Sequence, residues 1–488
     1  MKRIEEIMQI GDTTRIYTLL TSRKPQFSIP LERTEKEWNP YQHKVMDARI
    51  RKKKIVKTPT DQIDPRTGER IYKEKKIERC RIAIPIQQVL VRRTADFLFS
   101  NPVEYKATGA QDANTQKLVN GVSKVFRDNK IKYFDKKLAR TIFREREAAE
   151  LWYYILDEQG HPTKEMRVKL LSPLNGDALY PHFDDYGRMD GFARKYTVWN
   201  EEGENEVRFD VYTSKLVYRY KLSSGILEED CVAMPHGFDK IPVIYYRQEE
   251  AEWSTVQPII ERVEELLSNW GDTNDYFGTP SYFVHGSING FAEKGEQGRV
   301  YQGSTDSDMK VLSWDNSPES VRGELANLLN IIFSYTQTPD ISFENMKTLG
   351  SNTSGVAIRL MFTDPHMKAN NKIELFGEMF TRRFNVVANG YVKVVEPIPE
   401  SVLDKVEAEP VFSPYIPKNE YELLQMIQMS NGGKASLSRK DSVEKNPLVI
   451  NPQETLDEIE KEEQQGMMAD IFSAAGGQVP GMNTKNQE

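Results

Sequence analysis

His182, Asp184 and Asp185 lie within Tyr180-Pro-His-Phe-Asp-Asp-Tyr-Gly187 and offer the donor atoms a divalent cation takes, one imidazole and two carboxylates. The same string reads as a reverse turn, in which Asp bonds the local backbone and glycine closes the bend. One histidine beside two adjacent carboxylates is more often a turn than a site, so a turn without metal is expected. Phosphate-loop chemistry fails at Asn431-Gly-Gly-Lys434, which lacks the first glycine at the required distance and continues with Ala435. Cys80 and Cys231 have no Cys or His at ligand spacing, so both are expected as buried free thiols, which suit a reducing compartment. The six histidines are scattered, and no HExxH, GxSxG or strand-borne GxGxxG pattern is present. No nucleophile, base and oxyanion site come together, and the sequence reads as a non-enzyme with no cofactor.

A basic block supplies another kind of chemistry: Arg49, Arg51, Lys52, Lys53, Lys54 and Lys57, then Lys73, Lys75, Lys76, Arg79 and Arg81. Asp64-Pro-Arg-Thr-Gly68 between them reads as a hairpin turn. Clustered cations can neutralise phosphates. They can equally form a solvated arm that pairs with acidic neighbouring subunits. Tyr72 is the only aromatic in the block, whereas stacking platforms use several, so the arm is the favoured reading.

The elements that must carry these residues fit a chain of several domains, since 488 residues can bury more than one core. Hydrophobic residues are 38% and charged ones 28%, so much of the chain must be exposed, elongated or committed to subunit contacts. A formal net charge of −7 argues against a general nucleic-acid coat but is compatible with a pore through which DNA slides. The start, Met1-Lys-Arg-Ile-Glu-Glu, does not read as a signal peptide, and no 18 apolar residues run together. A soluble protein made in the cytoplasm is expected.

The organising stretch runs from Val256 to Val395. Val256, Ile259, Ile260, Val263, Leu266, Leu267 and Trp270 form one helical stripe, with Glu261, Arg262, Glu264 and Glu265 read as its solvated face. From Thr279 to Trp314 the period falls to two between Gly-rich turns. Ser317-Pro318-Glu319 opens a second helix that Thr338-Pro339-Asp340 ends. A polar loop follows, then a helical pattern of some forty residues from Ser354, with a kink expected near Phe362 because Pro365 removes a backbone donor. Upstream, residues 84–100 and 115–147 read as helical, and Ala149 to Tyr246 as an antiparallel meander. Downstream, residues 400–488 hold 8 Lys/Arg against 16 Asp/Glu, with short helices and an aperiodic Gly, Pro, Asn and Gln tail expected to be disordered.

Thr338-Pro-Asp-Ile341, the loop Asn345-Met-Lys-Thr-Leu-Gly-Ser-Asn-Thr-Ser-Gly355 and Val356-Ala-Ile-Arg-Leu360, in this order of elements, resemble the core of portal proteins of tailed double-stranded DNA bacteriophages, of the type found in long-tailed phages of Gram-positive hosts. The resemblance spans roughly residues 20–400 and implies an α+β portal fold. It assigns 1–250 to the wing, 251–278 and 317–339 to stem helices, 279–316 to a β-rich clip, 340–353 to a tunnel loop, 354–397 to a long wing helix, 398–470 to a helical crown and 471–488 to a tail. It implies a dodecameric ring at one capsid vertex, a virion protein through which a separate terminase motor packages double-stranded DNA. Expected partners are further copies of the chain, terminase, the major capsid protein or scaffold, and a head-completion adaptor, with no membrane. Asn345, Lys347, Ser351 and Asn352 are the expected channel residues, and Tyr282, Phe283, Phe291 and Tyr301 the expected clip contacts. Two rival readings stand beside it: a helical scaffold or adaptor with the same hairpin, and a nucleic-acid-processing enzyme whose acids go unrecognised.

Overall fold

Adjacent residues of one strand explain how the largest sheet is held. In Phe192-Ala193, Phe192 joins a core with Leu179, Tyr212, Val217 and Val243, while Ala193 joins another with Ile4, Ile16, Phe209, Val211 and Tyr220. Successive side chains point to opposite faces of a strand, so a sheet built this way must be covered on both sides.

The computed structural model describes residues 3–10, 12–109, 112–159, 161–200, 202–223, 225–277, 281–285, 308–312, 318–338, 362–415, 420–431, 436–449 and 451–474. The chain begins with α1 (Ile4–Met8), α2 (Thr13–Ser22) and α3 (Leu31–Trp38), followed by the hairpin β1 (Lys54–Ile63) and β2 (Arg70–Ile77). Next come α4 (Ile86–Leu98), β3 (Glu104–Gly109), α5 (Ala113–Asp128) and α6 (Ile131–Glu145). The β region holds β4 (Glu147–Leu156), β5 (Pro162–Leu171), β6 (Ala178–Phe183), β7 (Met189–Trp199), β8 (Asn205–Tyr212), β9 (Leu216–Ser223), β10 (Ile226–Pro235) and β11 (Val243–Arg247). β6 to β10 form an antiparallel meander, and β11 and β5 flank β4 in a second sheet. α1 and α2 cover the outer face of the meander.

The hairpin of long helices follows: α7 (Gln257–Phe277), β12 (Ser281–His285), β13 (Asp308–Leu312) and α8 (Pro318–Tyr335). α9 (Thr363–Gly390) then crosses the first unit, and β14 (Val406–Val411) pairs in register with β3. α9 has Pro365 in its first turn, where no intrahelical partner is needed for its missing N–H, so the proline costs no ladder bond. The kink expected near Phe362 falls where the description of the helix begins, and residues 354–361 lie outside the described ones. Phe376, Phe380 and Phe384 recur every four residues along α9 and pack against Phe99, Phe143, Tyr246 and Tyr105.

The chain divides into two units: residues 1–341 with 363–415, and residues 342–362 with 416–488. In the second, α10 (Glu420–Asn431), α11 (Arg439–Glu444) and α12 (Pro452–Ala474) are tied by Asn431 Nδ2 donating to Ser442 Oγ (3.0 Å) and by an Arg439–Glu463 ion pair (2.7 Å). Ser438 caps α11 by accepting from the Asp441 amide.

Candidate functional site: the long-helix hairpin and its anchors

α7 is anchored by a strap of chain that runs beside it. The amides of Cys80, Ile82 and Ile84 donate to Asp272 Oδ1 (2.7 Å), Ser268 Oγ (2.9 Å) and Glu264 Oε1 (2.9 Å). Every second residue of the strap therefore meets every fourth residue of the helix. Two residues of near-extended chain advance about 6.6 Å and four helical residues about 6.0 Å, so the repeats match over three contacts. Glu264 Oε1 also meets His43 Nδ1 (2.5 Å), whose other nitrogen lies 2.8 Å from the Glu37 carbonyl oxygen. Arg51 donates to Asp272 Oδ2 (2.5 Å), Asn269 Oδ1 (2.9 Å) and the Cys80 carbonyl (2.7 Å). Glu264 is buried, which corrects its reading as part of a solvated face. The signal available was a polar row, Glu264, Ser268 and Asp272, at four-residue spacing along one side of the helix.

Between α7 and α8, β12 and β13 pair antiparallel, with Tyr282 opposite Val311 and Phe283 opposite Lys310. The side chains of Tyr282 and Phe283 are not among those described. Phe291, Tyr301, Asn345, Lys347, Ser351 and Asn352 lie outside the described residues.

α8 ends in a Schellman motif. The Thr338 amide donates to the Phe333 carbonyl (3.0 Å) and the Gln337 amide to the Ser334 carbonyl (3.0 Å), with Gln337 at φ +49°. That left-handed position is ordinarily glycine's, so a side chain there is strained by roughly 1 kcal/mol. Thr338 is then held from the far side of the 339–361 segment. Lys368 Nζ of α9 donates to Thr338 Oγ1 (3.3 Å) and Thr94 Oγ1 (2.9 Å) and pairs with Glu252 Oε2 (2.8 Å). Lys372 pairs with the other Glu252 oxygen and donates to Gln248 Oε1 (3.1 Å). Burial would raise the Glu252 carboxyl, but the two ammoniums outweigh it, Lys368 first, and hold it below the usual range. Burial lowers Lys368, with Glu252 opposing.

The hub of the first unit lies on α9. Arg383 is fully buried and donates through Nε to both Glu150 oxygens (3.1 and 2.9 Å) and through Nη2 to Glu150, and it pairs with Asp135 Oδ1 (2.8 Å). Burial pushes the Asp135 carboxyl up to about 6, against the pull of Arg383. A raised folded value means this contribution is fully present below the unfolded value of about 3.9 and is lost as pH rises through about 6. Asp135→Asn keeps the shape without the titration. The stability difference, wild type minus variant, should therefore shrink by on the order of 2–3 kcal/mol between pH 4 and pH 6.5, read from denaturant midpoints. A difference that stays level across that range would refute the assignment.

His182 sits between Asp190 and Arg23. Its Nδ1 lies 2.5 Å from Asp190 Oδ1 and its Nε2 3.1 Å from Arg23 Nη1. A guanidinium only donates, so Nε2 accepts and its lone pair is taken. Asp184 accepts from the Tyr186 and Arg188 amides (2.9 and 2.8 Å), as a turn aspartate does. Among the described residues no His, Cys, Asp and Glu cluster fits a metal. Cys80 is a free thiol, half-buried rather than buried, against Gly271 of α7; Cys231 lies among residues whose side chains are not described. Among the described residues no helix is long and apolar enough to cross a membrane.

The sequence matches the family of phage portal proteins described as SPP1 Gp6-like over residues 31–468, and the chain belongs to that family. Its fold is the α+β portal fold and its function is that of a portal protein, a component of the virion. The family is structural rather than enzymatic. The portal protein of Bacillus phage SPP1 is 22% identical over 427 residues, spanning 80% of this chain and 78% of that protein. Among solved structures, a chain from the neck of an empty GTA particle, computed with C6 symmetry, aligns with TM-score 0.40 and 13% identity over 72% of this chain and 86% of that one. A chain from the virion of a native gene transfer agent particle aligns with TM-score 0.40 and 11% identity over 87% of this chain and 96% of that one.

Proposed function

We propose that twelve copies of this chain form a ring at one capsid vertex, and that double-stranded DNA is packaged and later ejected through its axial channel. The observation that carries the reading is the family match across residues 31–468, which takes in the whole helix–ribbon–helix hairpin. In this reading α7 and α8 are the stem, residues 279–316 the clip, 340–353 the tunnel loop, 354–397 the long wing helix and 398–470 the crown. Asn345, Lys347, Ser351 and Asn352 touch the DNA backbone through short polar groups, with one cation, so the duplex is guided without being gripped. Tyr282, Phe283, Phe291 and Tyr301 pair clip to clip between subunits, and the clip rim receives terminase and then the head-completion adaptor. The outer surface meets the major capsid protein or scaffold. The chain is made in the host cytoplasm.

The mass of the purified protein, with negative-stain images of the same peak, tests the ring: about twelve subunits around a central hole are expected. A stable dimer, both alone and with capsid components, would return the scaffold reading. Deleting Asn345 to Ser351 tests the loop. Rings should assemble while packaged DNA per particle falls severalfold, and normal packaging would remove the loop from the channel.

A further inference from the structure

Residues 54–77 form a two-stranded ribbon with almost no cover of its own. All eight residues of β2 are exposed, and Ile55, Ile63 and Tyr72 keep 52%, 64% and 54% of their surface open. Ile71 and Ile77 are exposed as well. A lone two-stranded ribbon has no core and is at best marginally stable in water. Large apolar side chains gathered on such an element mark a surface meant to be covered.

The register sorts its residues. One face pairs Lys54 with Ile77 and Val56 with Lys75, each pair setting a lysine beside a β-branched residue. The other pairs Ile55 with Lys76, Lys57 with Glu74 and Pro59 with Tyr72. Phosphate contact would use the lysines but leave the isoleucines in water. A partly apolar, acidic protein surface uses both. The ribbon holds seven Lys/Arg against four Asp/Glu in a chain whose formal net charge is −7, so the rest of the same chain carries the complementary charge.

Its root is fixed. Arg51 and Cys80, just outside the two strands, are both bonded to Asp272, so the ribbon leaves the body beside α7. α8, packed on α7, buries only Ile332; Leu325, Leu328, Leu329 and Phe333 are half-covered, while Ile331 and Tyr335 are exposed. On the same helix Glu319 is exposed, while Glu324 already accepts from Arg262 of α7 (2.9 Å). We infer that the ribbon of one copy docks on α8 of a second copy, Ile55 and Tyr72 of one ribbon face covering that half-bare stripe and Lys76 of the same face meeting Glu319. The inference rests on the ring reading above.

Two experiments on the full chain test it. In particles assembled with p-benzoylphenylalanine at Tyr72, irradiation should give covalent dimers whose cross-linked peptides fall within residues 318–335. No dimer, products confined to one chain, products with DNA alone, or dimers linked elsewhere would overturn it. Replacing residues 54–77 by a short Gly-Ser linker leaves Arg51, Cys80 and Asp272 in place, and should raise at least tenfold the protein concentration at which rings dissociate. Rings of unchanged stability without the ribbon would overturn the docking alone, whereas intact protein that forms no ring under any condition would overturn the ring reading itself.

Discussion

Arg383→Met should cost about 3–5 kcal/mol, the typical loss when one partner of a buried ion pair is removed and the other charge is left behind. Whole-domain stabilities are about 5–15 kcal/mol, so the loss is a large share of the total and should show as a clearly lowered denaturant midpoint. Methionine matches the aliphatic length, and the packing over Phe380, now 3.8 Å from the guanidinium carbon, is largely kept. What is lost is the charge between Glu150 and Asp135, both buried. Three elements meet there: α9 through Arg383, β4 through Glu150 and α6 through Asp135. Glu150 also accepts from Tyr246 Oη (2.6 Å) and Trp152 Nε1 (3.1 Å), and those donors would then face an anion with no counter-charge. Neutralising the remnant separates charge from packing: Arg383→Met with Glu150→Gln and Asp135→Asn should recover more than half of the loss. Denaturant midpoints of the single and triple variants decide the matter. A single variant as stable as wild type would mean the cluster is solvated and not a hub.

Some of this architecture was legible in the chain and some was not, for identifiable reasons. The apolar stripe of α7 announces itself because the helix buries one face, and β4 and β7 are legible as aromatic and β-branched runs set between turns. The order helix, β ribbon, helix, polar loop and long helix carried the portal resemblance without any short motif. The strap against α7 was hidden because buried polar residues at helical spacing look like a wet face; only their partners, the amides of residues 80, 82 and 84, reveal the difference. Arg383 was hidden in the same way, as one of two arginines in Thr-Arg-Arg-Phe, of which the structure buries Arg383 fully and its neighbour only in part. The pairing of β3 with β14 joins Thr108 to Glu407, and no local pattern specifies a partner so far along the chain.

The second large effect is expected at Glu252→Gln, where the consequence is local as well as global. Gln keeps the shape but leaves Lys368 and Lys372 without their carboxylate. Lys372 is the more open of the two and can swing toward water, whereas the Lys368 side chain is only 12% exposed and has Thr94 and Thr338 as its remaining partners. A buried ammonium without a counter-charge costs about 3–5 kcal/mol if it stays. It escapes that cost by leaving, and leaving gives up the bond to Thr338 at the end of α8. The Schellman turn there already carries a strained Gln337, so the last turn of the helix should loosen first. Hydrogen exchange of the Thr338 amide, bonded to the Phe333 carbonyl in the native turn, should speed up by more than exchange in β7, where the same variant touches nothing. The pH dependence provides an independent check. Glu252 titrates below its unfolded value of about 4.3, so its stabilisation is present above that pH and lost as pH falls through the folded value. Acidification should therefore destabilise wild type more than the variant, and the two should converge at low pH. Parallel acid limbs, or exchange that accelerates equally in α8 and β7, would mean that Glu252 supports the whole unit without governing the turn from which residues 339–361 depart.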